Sequence, residues 1–126
     1  MSKWGFLLLA MAAGAAGAED RACMVESTYF VAGEAVGMRD CMQAPASTPT
    51  ALVHSQCNEL AAIALRMGGE SRGLTFLPSC PLPAQGICKN YMRSGNDAYY
   101  YERGASDIML LPKACASRGG TWQSAP

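Results

Sequence analysis

Residues 80–122 read CPLPAQGICKNYMRSGNDAYYYERGASDIMLLPKACASRGGTW and hold three of the six cysteines. The stretch opens on Cys80-Pro81, crosses a proline-containing loop and reaches Gly86-Ile87-Cys88. Ser94-Gly95-Asn96-Asp97 is a turn signal, with glycine in the first central position of a II′-like hairpin turn. Counting outward pairs Arg93 with Ala98, Met92 with Tyr99, Tyr91 with Tyr100, Asn90 with Tyr101 and Lys89 with Glu102. On that register Cys88, Met92, Tyr99 and Tyr101 share the apolar face. The outer face carries Lys89 opposite Glu102 and Tyr91 opposite Tyr100. Opposite charges and aromatic pairs across strands each stabilise a sheet by roughly 0.2–1 kcal/mol. Proline in a helix interior breaks it. Residues 108–111 are therefore read as extended, followed by a short helix with Pro112 in its first turn and Gly119-Gly120 as its stop. Trp122 folds back onto the core, because an isolated exposed Trp is uncommon, and residues 123–126 fray.

The upstream half has a related layout. Residues 19–43 read as a hairpin turning at Ala32-Gly33-Glu34-Ala35, which pairs Val31 with Val36, Tyr29 with Met38, Ser27 with Asp40 and Val25 with Met42. Those residues form a mostly apolar face, with Cys23 on it and Cys41 on the other side. Thr48 caps a helix over 49–67, with Pro49 at its first position. Val53, Cys57, Leu60, Ala61, Ala64 and Met67 form its buried stripe at helical spacing, and Gly68-Gly69 ends it. Residues 70–73 are polar, 74–77 are a short strand or an apolar loop anchor, and 77–86 are a loop with three prolines. Each half thus has a strand with a cysteine, a turn, a second strand, a helix with a cysteine and then Gly-Gly. In this loose repeat Cys23 corresponds to Cys88 and Cys57 to Cys115.

Residues 1–18 have the form of a secretory signal peptide. Lys3 is the positive start, 4–17 are apolar, and Ala16-Gly17-Ala18 is a small-x-small cleavage site. The remainder, 19–126, is one small domain with no further span across a membrane. Loss of Lys3 leaves nine basic against ten acidic side chains, a net charge near −1, which argues against a nucleic-acid binder. Six cysteines beyond an export signal imply three disulfides in the periplasm or outside the cell. With no Cys-x-x-Cys pair and one histidine, neither a zinc site nor another metal or cofactor is expected.

The cysteine pairing follows from the faces. Cys23 and Cys88 lie on apolar strand faces, and Cys57 and Cys115 lie on helices packed there. This gives Cys23–Cys57 and Cys88–Cys115, and leaves Cys41 for loop Cys80. The fold class is α+β. Two antiparallel hairpins form a sheet of about four strands, with the main helix and the short C-terminal helix on one face. The buried set is Val25, Tyr29, Val31, Val36, Met38, Val53, Leu60, Ala64, Met92, Tyr99 and Tyr101.

Residues that could carry chemistry do not assemble into a catalytic set. His54 has Ser55 as its neighbour, and adjacent helix positions do not face each other. Glu26, Glu34, Glu59, Glu70, Glu102 and Asp107 show no spacing that singles out an acid pair for glycan hydrolysis. The scattered methionines fill a core rather than bind copper. What remains is the outer face of the second hairpin, Lys89, Tyr91, Arg93, Tyr100 and Glu102, since Tyr and Arg are enriched at recognition surfaces. The expectation is an exported, non-enzymatic module that binds a protein or a wall polymer; the alternative is a small cell-wall-directed hydrolase. Cys-Pro at 80–81, Gly-x-Cys at 86–88, the adjacent tyrosines and Cys-x-x-x-Gly-Gly-x-Trp at 115–122 resemble uncharacterised small cysteine-containing exported proteins of bacteria. The resemblance implies no activity.

Overall fold

The computed structural model describes residues 19–125; the signal-peptide reading of 1–18 lies outside them. The elements are β1 (Ala22–Val31), β2 (Glu34–Gln43), α1 (Thr50–Arg66), β3 (Glu70–Leu77), β4 (Gly86–Lys89), β5 (Asp97–Tyr100), α2 (Ala105–Ser117) and β6 (Thr121–Ser124). The fold is α+β, with one antiparallel sheet in the order β3-β1-β2-β5-β4-β6. The sheet has six strands rather than about four. The two extra strands are its edges. β3 begins with the polar run Glu70-Ser71-Arg72, which suits a strand with one side open to solvent. β6 pairs Trp122 with Cys88 and Gln123 with Ile87, so residues 123 and 124 are ordered by the sheet instead of fraying.

The order of strands makes the repeat exact at the level of topology. Both halves run strand, strand, helix, strand, and in each the last strand returns beside the first. Cys23 pairs with Met42, Cys88 pairs with Ala98, and Met42 pairs with Ala98. A pseudo-twofold axis therefore passes between Met42 and Ala98 at the centre of the sheet. Phe76 on β3 lies beside Cys23, and Trp122 on β6 lies beside Cys88. The Gly-Gly pairs also match. Gly68 and Gly119 take positive φ, 78° and 90°, and stop the helices. Gly69 and Gly120 permit close approach. A Cβ on Gly69 would strike the Thr28 carbonyl, and one on Gly120 would lie 2.7 Å from Cys88 Sγ.

The disulfides are Cys23–Cys57, Cys41–Cys80 and Cys88–Cys115, with Cα separations of 6.1, 5.9 and 5.8 Å. This is the pairing expected from the strand faces. The first and third bind α1 and α2 to the same face of the sheet. The second ties the 78–85 loop to the opposite face, over Ala22, Met24, Ile87 and Tyr99.

Both hairpin registers differ from expectation, with different consequences. In the first, Ala32 and Gly33 alone form the turn, with φ 51° and 81°, and Val31 faces Glu34. A turn with both central residues left-handed matches the twist of the strands. The shift is two residues, so every side chain keeps its face, and Ser27 now faces Met38 and Val25 faces Asp40. In the second, Gly86 faces Tyr100 and Cys88 faces Ala98. That shift from the expected pairing is odd, which exchanges the faces. Tyr99 joins Ile87 and Cys41 under the proline-rich loop, while Tyr100 joins Cys88 and Cys115 under α2.

The cause of the second shift is the 90–96 segment, which is a wide loop instead of a tight turn. Asn90, Met92 and Arg93 have φ of 54°, 53° and 60°. Asp97 accepts a hydrogen bond from the Asn90 amide, Asn90 Oδ1 accepts one from Gly95, and Ser94 Oγ accepts one from Asn96. Side-chain bonds of this kind compete with a strand ladder.

Other expectations are also revised. α1 has Pro49 at its N-cap and no side-chain cap from Thr48. α2 starts at Ala105 and contains Pro112. The missing N–H is tolerated in a helix fastened at Cys115 and packed through Ile108 and Leu111. Of the expected buried set, Val53, Ala64 and Tyr99 are buried, Val25, Tyr29, Val36, Met38, Leu60 and Tyr101 are half-buried, and Val31 and Met92 are exposed. Met67, expected on the buried stripe of α1, is exposed as well.

Candidate functional site: a cleft on the helix face

Each helix covers its own half of the sheet. α1 packs on β1 and β3, and α2 packs chiefly on β6. The central strands between them are left uncovered, and a cleft of about 530 Å³ opens there. Val25 and Tyr29 of β1, Met38 and Met42 of β2, and Ala98 and Tyr100 of β5 form its floor. Gln56, Leu60 and Ile63 of α1 form one wall, and Tyr91, Met92, Ser94 and Asn96 of the wide loop form the other. This explains why so many residues of the expected core are only half-buried: they line a depression instead of a closed interior.

The polar groups of the cleft are few and held in place. Arg103 donates to both oxygens of Asp40, from Nε at 3.2 Å and from the terminal nitrogen at 2.6 Å. Its guanidinium lies 5.1 Å from the centre of the Tyr100 ring. Gln85 clasps the Arg103 backbone, accepting from its amide at 2.8 Å and donating to its carbonyl at 3.0 Å. Burial pushes the Asp40 carboxyl above its ordinary value, and the hydrogen bonds and charge of Arg103 offset only part of that. Burial is also the main cause that pushes the Tyr100 hydroxyl up to about 12, so at neutral pH it remains a hydrogen-bond donor. Across the cleft Asn96 donates to Gln56 Oε1 at 3.2 Å.

The five residues expected on one outer strand face are dispersed. Tyr91 and Tyr100 come together in the cleft. Tyr100 reaches it because the register shift carried it to the helix face. Arg93 is exposed and its side chain lies over Gly119. Lys89 is exposed and pairs with Asp97 at 2.8 Å instead of Glu102; the Asp97 hydrogen bond raises its pKa. Glu102 is exposed and, like Lys89 and Arg93, does not line the cleft. His54 faces the Asp20 carboxylate at 3.5 Å and packs on Phe76 with ring centroids 4.1 Å apart. Neither His54 nor Asp20 lines the cleft.

Leu60, Ile63, Asp40 and Arg103 were not among the expected site residues. One signal for Asp40 was present: a carboxylate on the mostly apolar face of the first hairpin. The partnership with Arg103 spans 63 residues and leaves no local trace. The chain matches no family model, no curated protein and no solved structure. Three disulfides and no free cysteine fit an oxidising, extracellular type of environment. Among the described residues no helix is long and apolar enough to cross a membrane.

Proposed function

We propose that this chain is an exported, non-enzymatic binding module of the cell envelope or secreted fraction, and that the helix-face cleft is its binding surface. One observation carries the reading. A concave site of about 530 Å³, apolar over most of its lining, stands open on a frame held by three disulfides. Small-molecule sites have this size and character, with a few placed polar groups. The left-handed residues of the 90–96 loop add support. Such conformations cost about 1–3 kcal/mol each and concentrate at sites where position matters. The apolar lining favours a ligand with an apolar body over a polar wall glycan, so the cleft takes the place of the flat strand face in this account.

The test is retention. Wild type and an Ile63→Trp variant, whose indole fills the mouth, are isolated from the native extract without denaturation. Bound small molecules are then released and identified by mass spectrometry. The reading expects a molecule present with wild type and depleted from the variant. Identical contents in two equally folded proteins would remove the cleft from consideration.

A further inference from the structure

At Tyr91, Met92, Tyr100 and Arg103 the cleft adjoins a second cavity of about 170 Å³, completed by Leu111, Ala114 and Arg118 of the α2 region. The two differ in chemistry. The large one holds a single ion pair, that of Asp40 and Arg103, on an apolar lining. The small one adds a second guanidinium, and among the described residues Arg118 forms no ion pair. Arg93 beside Gly119 forms none either. At the junction Arg103 is held by Asp40 and lies near Asp107, whereas Arg118 lies near Tyr100 with no carboxylate paired to it among the described residues. Tyr91 and Tyr100 line the same cavity, and the Tyr100 hydroxyl lies within electrostatic reach of Arg103 and Arg118.

Resting on the binding reading above, we infer that the ligand is a free long-chain carboxylate. Its hydrocarbon chain lies in the cleft along Leu60, Ile63, Met38 and Met92, and its carboxylate lies at Arg118 and the Tyr100 hydroxyl. Flexible thioethers suit a chain without fixed shape. A guanidinium with a phenol donor suits a carboxylate, and charge-assisted bonds of this kind are about twice as strong as neutral ones. Arg118 also stands at the C-terminal end of α2, where a cation complements the helix dipole. A purely structural role of that kind would not respond to the ligand's headgroup.

The purified, disulfide-intact protein is titrated calorimetrically with a long-chain fatty acid below its micelle concentration, the matched fatty alcohol, shorter fatty acids, and vesicles of neutral phospholipid. The inference expects the acid to bind, with affinity falling about fourfold per methylene removed, and the alcohol to bind about tenfold more weakly. Arg118→Ala should remove the preference for acid, bringing acid and alcohol to the same affinity. Ile63→Asp, at a solvent-exposed position, should weaken both. Equal affinity for acid and alcohol, an Arg118→Ala variant that still prefers acid, or binding to vesicles without binding to monomeric acid would overturn the assignment. A protein that retains a native ligand in its cleft yet binds neither probe loses this assignment and keeps the binding reading.

Discussion

Tyr99, Tyr100 and Tyr101 are consecutive, yet the sheet gives them three environments. Tyr99 is buried beneath the proline-rich loop, Tyr100 lies under α2 with Arg103 over its ring, and the Tyr101 hydroxyl donates to the Pro81 carbonyl at 2.8 Å. Burial is the main cause that pushes both Tyr100 and Tyr101 from 10.0 up to about 12. A raised folded pKa favours the protonated form. The stability it contributes is in place below pH 10.0 and is lost as pH climbs towards about 12. Absorbance titration of the phenolates should therefore show late ionisation, well above 10.0, from Tyr100 and Tyr101, and Tyr100→Phe should reduce its amplitude. A titration with no phenol ionising above 10.0, or one that Tyr100→Phe leaves unaltered there, would contradict these environments. Alternation alone separates Tyr99 from Tyr100, and that was legible. Which of them faces the helices was not, because it depends on the register, and the Ser94-Gly95-Asn96-Asp97 signal pointed to a tighter turn than the loop that Asn90 and Asp97 close.

Among the elements, α2 is the one most dependent on a single bond. It contains Pro112 and packs chiefly on the edge strand β6, whereas α1 packs on two strands. Cys88–Cys115 closes a loop with a sequence separation of 27. In the chain-entropy model a loop of that size contributes about 3.6 kcal/mol. A Cys88→Ala/Cys115→Ala variant should lose about that much in urea unfolding, and α2 amides should exchange ahead of the sheet while α1 stays protected. Equal protection of both helices would show that packing alone holds α2. The helix-bearing cysteines were readable because 53, 57, 60 and 64 fall on one stripe and because strand parity survives a shift of two residues. The edge strands were not readable in the same way. Residues 70–73 are polar because one side of β3 faces solvent, and β6 is ordered by pairing with β4 and by packing against α2 and Tyr100, long-range contacts that no local pattern reports.

For the whole molecule, the pseudo-twofold arrangement accounts for the cleft. Two strand-strand-helix-strand units join through β2 and β5, each helix is stapled over its own unit, and the junction between the units stays open. The repeat was visible as Cys23 with Cys88, Cys57 with Cys115 and two Gly-Gly stops; the cleft was not, since it arises from what two helices leave uncovered. The most direct measurement of the central claim is hydrogen exchange on the protein as isolated with its retained ligand and again after that ligand is stripped. The account predicts added protection in 56–63 and 91–103, on the two walls of the cleft, with the β3 edge and the outer face of α2 unchanged. Protection confined to β3 or to the exposed Met109 and Leu110 of α2 would contradict it.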